Sequence, residues 1–269
     1  MTETEDVDVA APNIARMYDY LLGGSANFAV DRAAAEEFNA QLPGNADWAY
    51  AHAQANRAFL GRAVRHLATE HGIDQFLDLG SGVPTKGNVH EIAHQVDQRA
   101  RVAYVDHEAV AVAHARRMLA GHERVTVTRA DARDPGAVLA APGVAGLLDF
   151  RRPVAVLAVA ILEVIGDVDA GELTAAYRNA CVPGSALVVS HMTRLSITED
   201  QVAAFREMMR HTPTPHTRFT TRAEMDRIGT GYTWLEPGVV PLAHWRNDGP
   251  VSEEQAAAAN SFGAVGVLR

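Results

Sequence analysis

The order of hydrophobic and polar positions divides the chain near residue 72. From Asn13 to about Glu70 the text is helical in composition, rich in Ala, Leu, Arg and Glu, with no stretch that reads as a strand. The Gly-Gly pair of LLGGSANF and the LPGN turn at 42–45 interrupt it. After Gly72 the period changes. Five short apolar runs appear, each followed by a helix-like stretch: QFLDLG (75–80), RVAYVD (101–106), RVTVTRAD (124–131), RPVAVLAVAIL (152–162) and GSALVVSH (184–191). Strands that alternate with helices predict a parallel sheet, because parallel neighbours need a crossover connection. The unbroken apolar character of AVLAVAIL fits a strand buried on both faces.

Two more strand candidates follow, around TWLEPGVVPL (233–242) and SFGAVGVLR (261–269), the second expected at an edge or inserted between neighbours. Together these elements predict a doubly wound, mostly parallel, seven-stranded α/β sheet under an N-terminal helical cap. Residues 1–12 lack apolar periodicity and are expected as a disordered arm, 13–70 as the cap and 71–269 as the core.

Composition narrows the function classes. No run approaches the roughly 18 apolar residues of a membrane span, and the acidic start MTETEDVDVA lacks the basic end of a signal peptide. A cytoplasmic protein is expected. The single cysteine, Cys181 in NACVPG, allows no internal disulfide and reads as a buried filler. The net charge of −9, with no dense Lys/Arg run, argues against nucleic acid as a partner and leaves a small molecule favoured.

The sharpest chemical signal is FLDLGSGVPT (76–85). It sets Asp78 at a strand end and then Gly80 and Gly82 before a helix, and a turn this tight with backbone close to a ligand favours glycine. Ligands of open α/β sheets lie beyond the carboxyl ends of the strands. There the second strand ends in Asp106, suited to both hydroxyls of a ribose, and the third in Asp131, suited to an adenine edge. The dinucleotide pattern G-x-G-x-x-G fails, since its third glycine position holds Thr85, preceded by Pro84. A nicotinamide-dependent oxidoreductase is therefore disfavoured. An acid two residues before the first glycine suits a cationic amino-acid end better than a diphosphate, and D-x-G-x-G resembles the loop of class I methyltransferases. Ser81 in the loop, and His107, Ala132 and Ala160 beside the strand ends, complete the expected cofactor set with Pro84 and Thr85.

A more specific resemblance then emerges. ARMYDYLLGGSANFAVDRAAAE (15–36), ANRAFLGRAVRHLA (55–68), FLDLGSGVPTKGNVHEIA (76–93) and TRAEMDRI…LEPGVVPLAHWR (221–246) resemble the S-adenosyl methyltransferase family found mainly in actinomycete bacteria, formerly a domain of unknown function. The similarity runs from about residue 13 to the C terminus. It implies a class I, Rossmann-like fold, S-adenosylmethionine as cofactor and methyl transfer, with no particular acceptor. Relatives tend to carry a histidine where this chain has Glu163, in AVAILEVIGD. If that position faces the transferring methyl the acceptor chemistry differs here; if it faces the following helix the change is neutral.

For an acceptor whose proton must leave, Glu163 and His191 are the candidate bases at strand ends, each with a purely structural alternative. Tyr18, Tyr20, Gly23, Gly24, Asn27 and Phe28 around the glycine break read as a lid over cofactor or acceptor, against a plain helix–helix turn. Arg57 in QANRAFL has the reach to bind the carboxylate of the cofactor's methionine end, or is a surface arginine. HEIAH (90–94) matches a zinc-binding helix pattern, but no third ligand is evident and no metal is expected. A non-catalytic S-adenosylmethionine-binding protein or partner subunit is the rival reading.

Overall fold

The computed structural model describes residues 11–40, 47–83, 87–210 and 217–269. Most of the expected arm, the LPGN turn, and Pro84 and Thr85 lie outside the described residues.

Three helices come first: α1 (Ile14–Leu21), α2 (Ala29–Ala40) and α3 (Trp48–Glu70). Asn13 starts α1 by accepting the amides of Ala15 and Arg16 with its side chain, which satisfies two of the N–H groups a helix start leaves open. The turn after α1 needs glycine twice. Gly23 sits at φ +73°, and a Cβ on Gly24 would collide with the carboxylate of Asp19. Asp19 itself is buried and accepts the Ala26 amide and the Asn27 side-chain N–H, each at 2.8 Å.

Strands and helices then alternate: β1 (Gln75–Leu79), α4 (Val89–Val96), β2 (Arg101–Asp106), α5 (Ala109–Met118), β3 (Val125–Arg129), the short α6 (Pro135–Ala140) and α7 (Pro142–Ala145), β4 (Ala155–Ala158), α8 (Ala170–Arg178) and β5 (Ala186–Met192). After them come α9 (Glu199–Met209), α10 (Arg222–Ile228), β6 (Tyr232–Trp234), β7 (Val240–Pro241), α11 (Glu253–Ala258) and β8 (Ser261–Leu268). The single strand expected over 233–242 is two short pieces. Glu236-Pro237-Gly238 falls between them, and a proline supplies no ladder N–H.

The sheet order is β3-β2-β1-β4-β5-β8-β6, with β7 paired to β8. β1 to β5 are parallel, while β8 runs antiparallel between β5 and β6. Side chains alternate between two apolar layers as the pleat requires. Phe76, Val102, Leu157 and Val188 face a core shared with Phe59, Val64 and Leu67 of α3; Leu77, Ala103, Val156 and Leu187 face a second core with Leu173 and Tyr177 of α8. α3 therefore does two jobs. Its later turns lie in the core of the sheet, and its first turn, with Trp48 and Ala49, joins Met192, Phe205 and Met209 in a third cluster.

The order of strands reverses at β1, which has β2 on one side and β4 on the other. Crevices in such sheets open beyond the carboxyl ends of the strands at that reversal. Among the described residues, no helix is long and apolar enough to cross a membrane.

Candidate functional site

A cavity of about 370 Å³ lies over those carboxyl ends. Its walls come from the ends of, and the segments after, β1 (Asp78, Gly80–Val83), β2 (Asp106–Glu108), β3 (Ala130–Arg133) and β4 (Val159–Ile161, Glu163–Gly166), from Met192 of β5, and from α1, α2, α3 and α9.

The glycine loop is shaped for close approach. Gly80 sits at φ +66° and donates its amide to Val105 C=O at 2.8 Å; a Cβ there would stand 2.3 Å from Ile161 Cδ1. Gly82, at φ +63°, donates its N–H to Asp106 Oδ2 at 2.7 Å, and the Glu108 amide donates to Asp106 Oδ1 at 2.8 Å. Two backbone donors thus fix the carboxylate of Asp106, which is buried and lines the cavity. α1 roofs this loop. A Cβ on Gly82 would come within van der Waals contact of Ala15 Cβ, and Asn13 Nδ2 donates to Glu108 Oε2 at 2.8 Å, joining the roof to the loop after β2.

Asp78 is buried under the loop, and burial pushes its carboxyl up to about 7, opposed by the nearby Arg57 guanidinium. Arg57 lines the same wall from α3, and its Nε is buried with no hydrogen-bond partner. A buried guanidinium nitrogen without a partner is free to donate to an acceptor on a bound group. Ser81, His107, Ala132 and Ala160 also line the cavity, His107 from an exposed position. Asp131 lines it too, its carboxyl lowered by the hydrogen-bonded Arg133 guanidinium, whose Nε is 2.9 Å away.

Beyond Ile161 the wall turns from loop to pocket. Glu163 is 2 % exposed, and burial raises its carboxyl to about 8. Its Oε2 has no partner, and its Oε1 lies 3.8 Å from His52 Nε2. Glu163 lines the cavity. His191 does not join it. Along β5 the side chains alternate, so Ser190 and Met192 face α3 and the cavity while His191 points to the other side of the sheet. There its Nδ1 lies 3.1 Å from Met192 C=O, and burial lowers the ring to about 4.

The residues around the glycine break separate in the same way. Tyr18 lines the cavity and donates its hydroxyl to Ala53 C=O. Tyr20, Gly23, Gly24, Asn27 and Phe28 do not, so at those positions the expected lid is a helix–helix turn held by its own contacts. Tyr20 and Tyr50 both donate to Glu36, Asn27 is held by Asp19, and Phe28 covers the Arg16 guanidinium at 5.2 Å.

Sequence reasoning missed the α3 face that completes the pocket: Trp48, His52 and Asn56, spaced four apart and therefore stacked on one side of a helix. That spacing is visible in WAYAHAQAN, but so are many ordinary buried faces. Met192 at the end of β5, and Phe205 and Met209 on α9, were missed for a simpler reason, since nothing local announces which distant elements close a pocket. The histidines of HEIAH make protein contacts: His90 Nδ1 lies 2.8 Å from Tyr104 Oη, and His94 Nε2 lies 2.9 Å from Ala100 C=O. Among the described residues, no group of three or more His, Cys, Asp or Glu side chains is arranged to hold a metal ion.

Comparison with known proteins decides the family. The S-adenosyl methyltransferase family model matches residues 1–269. The chain belongs to that family. Two solved structures share its fold over nearly the whole length. One, a Thermobifida fusca protein under a provisional methyltransferase name, is 37% identical with a TM-score of 0.88, covering 97% of each chain. The other, a DUF574-family protein from Streptomyces avermitilis, is 32% identical with a TM-score of 0.87, covering 97% of this chain and 99% of its own. No curated protein is similar enough to count as a match.

As a member of the S-adenosyl methyltransferases the chain takes S-adenosylmethionine as its cofactor. The residues present fit that molecule on their own chemistry. The glycine loop leaves a cradle that a Cβ would fill, and the orphaned Arg57 nitrogen beside Asp78 suits a group carrying both carboxylate and ammonium.

Proposed function

We propose that this S-adenosyl methyltransferase transfers a methyl group to an oxygen or nitrogen of a small-molecule acceptor, with the two substrates side by side in one cavity. The observation that carries the reading is continuity. A single cavity is lined by Asp106, the glycine loop and Asp78, and also by Glu163 and the apolar side chains Trp48, Met192 and Phe205.

In this reading Asp106 accepts the ribose hydroxyls, with the Gly82 and Glu108 amides keeping its carboxylate oriented. Ala132 and Asp131 border the adenine. Arg57 pairs with the carboxylate of the methionine end and Asp78 with its ammonium. When bound, S-adenosylmethionine supplies a methyl on a positively charged sulfur that leaves with the bonding pair. What remains for the protein is positioning and exclusion of water, which is the larger share of catalysis once the leaving group is activated. α1 serves the second task by lying over the loop. Glu163 is the group placed to take a proton from the acceptor. His191, on the far face of β5, is left out of the chemistry.

Calorimetric titration with S-adenosylhomocysteine tests the cofactor half. Asp106→Ala is expected to weaken binding at least about tenfold, the loss of two hydrogen bonds to a charged acceptor. Asp78 adds a signature of its own. It holds its proton below about pH 7 in the free protein, whereas an ammonium partner favours the ionised form. Binding at pH 6 is therefore expected to release a proton, and affinity to rise with pH until about 7. Titrations in buffers of different ionisation enthalpy read that proton directly. Wild-type affinity in Asp106→Ala with no proton release would remove the assignment.

A further inference from the structure

The acceptor end of the cavity has a composition of its own. Trp48 stacks on Phe38 with ring centroids 5.7 Å apart and meets Phe205 edge-on at 5.4 Å. His52 lies tilted against Trp48 at 5.4 Å, and Met17, Met192 and Met209 line the rest. Trp48, Phe205 and Met209 keep no more than 2 % exposure while lining the cavity, so the wall beside it is tightly packed. Flat, rigid rings packed together with unbranched, adaptable methionines make a wall that suits a flat, apolar guest. The Trp48 indole N–H is buried and unpartnered, a polar handle within an otherwise apolar wall.

The polar side chains beside this wall form a chain with a fixed direction. The Ala160 amide donates to Ser190 Oγ at 2.9 Å, and the Ser190 hydroxyl donates to Asn56 Oδ1. Asn56 Nδ2 then faces His52 Nε2 at 3.2 Å as a donor, which leaves the ring hydrogen on Nδ1, directed to Ala259 C=O at 3.2 Å. Both nitrogens of His52 are thereby used, and burial lowers the ring to about 4, so it stays neutral. Glu163 is beside this chain and outside it. No hydrogen bond from His52 reaches its carboxyl, and Oε2 is left without a partner.

We propose that the acceptor is a planar aromatic molecule with a phenolic hydroxyl, seated against Trp48 and Phe205, and that Glu163 takes the hydroxyl proton. The inference rests on the methyltransferase reading above. The acceptor oxygen forms the new oxygen–methyl bond as the sulfur–methyl bond breaks and its electron pair stays on sulfur. The hydroxyl proton passes to the Glu163 carboxylate, which later returns it to water. An aliphatic amine, cationic near neutrality, fits the wall less well, because a buried acid that carries its proton there offers it no counter-charge. The titratable and charged groups facing Glu163 are His52 from α3 and Tyr18 from α1. Arg218 donates only its backbone amide to Glu163 C=O and turns its guanidinium to Asp167.

The test uses 2-naphthol and its saturated counterpart 2-decalol, titrated into the full chain saturated with S-adenosylhomocysteine. 2-Naphthol is expected to bind at least about tenfold tighter than 2-decalol, with the preference reduced in Trp48→Leu and in Phe205→Leu. Glu163→Gln keeps the size and a hydrogen-bonding head, so its Kd for 2-naphthol is expected within about threefold of wild type. With S-adenosylmethionine, Glu163→Gln is expected to lower kcat on 2-naphthol by about 100-fold or more at nearly unchanged KM. Wild-type kcat rises with pH to a plateau above about 8, and the variant loses that step. Equal binding of the two alcohols, no binding of either to the loaded protein, or an undiminished kcat in Glu163→Gln overturns the proposal. A chain that fails to bind S-adenosylhomocysteine overturns the methyltransferase reading itself, and the same titration separates the two failures.

Discussion

Glu163 and Asp78 both keep their protons to higher pH than carboxyls in water, because burial disfavours the charged form: about 8 for the first and about 7 for the second. An unfolded chain has already lost those protons near pH 4 to 5. Between that pH and 8 the native state binds more protons than the unfolded one, so each pH step upward costs stability. His52 and His191 act in the opposite sense. Both are lowered to about 4, so their contribution is intact above pH 6.5 and fades as pH falls toward 4. Above 6.5 only the acids act. The ligand-free protein is expected to lose stability from pH 6.5 to 8.5 in urea unfolding, and Glu163→Gln to flatten part of that slope while matching wild type near pH 5. A slope unchanged by the substitution would mean that Glu163 is already ionised in the fold. At this scale Asp78, Gly80 and Asp106 were legible from sequence because a tight turn at a strand end constrains residue type. His191 misled because a strand end can be read from sequence more easily than the parity that decides which face a side chain takes.

Helices α1 and α2 are joined by charge rather than by a broad apolar face. Arg16 Nε meets Asp31 Oδ2 at 2.7 Å, with the two side chains 2% and 0% exposed. Asp31 also accepts the backbone amides of Asn13 and Phe28, at 2.9 and 2.8 Å, so one carboxylate holds both ends of the hairpin. Removing one member of a buried pair leaves the other charged and dry, at about 3–5 kcal/mol. Asp31→Ala is expected to show that loss in denaturant titration. It is also expected to weaken S-adenosylhomocysteine binding, since α1 roofs the glycine loop; a variant that loses stability and keeps affinity would show α1 to be a passive cover. The helical character of 13–70 was readable from composition, yet its division of labour was not. Nothing in the periodicity of α3 tells that Leu67 lies in the core of the sheet while Trp48, on the same helix, faces the cavity. We propose that the functional cap is α1, α2 and the first turns of α3.

For the molecule as a whole, the five parallel strands can be counted from their apolar runs, and the cavity lies over their carboxyl ends. The antiparallel addition was legible only as an alternative, edge or insertion, because position in a sheet is decided by partners far away in sequence. β8 lies between β5 and β6, pairing with β5 from Ala186 to Met192 and with β6 from Tyr232 to Trp234. Asn260 anchors its start: Oδ1 accepts the amides of Leu195, Ser196 and Ile197, and the backbone C=O accepts that of Thr193.

That arrangement has a consequence for the order of assembly. β6 precedes β8 in the chain but reaches the sheet only through it, so β6 has no ladder to join until residues 261–268 are in place. Until then the last parallel strand presents the open hydrogen-bonding edge of an apolar segment, a template for pairing with another chain. The parallel half can gather first, while the far half has to wait for its middle. Pulse-labelled hydrogen exchange during refolding is expected to show protection at β1, β2 and β4 before β6, with β6 and β8 closing together. A nascent chain halted before residue 261 would spend that interval exposed to aggregation, and a chaperone would meet it at the bare flank of β5.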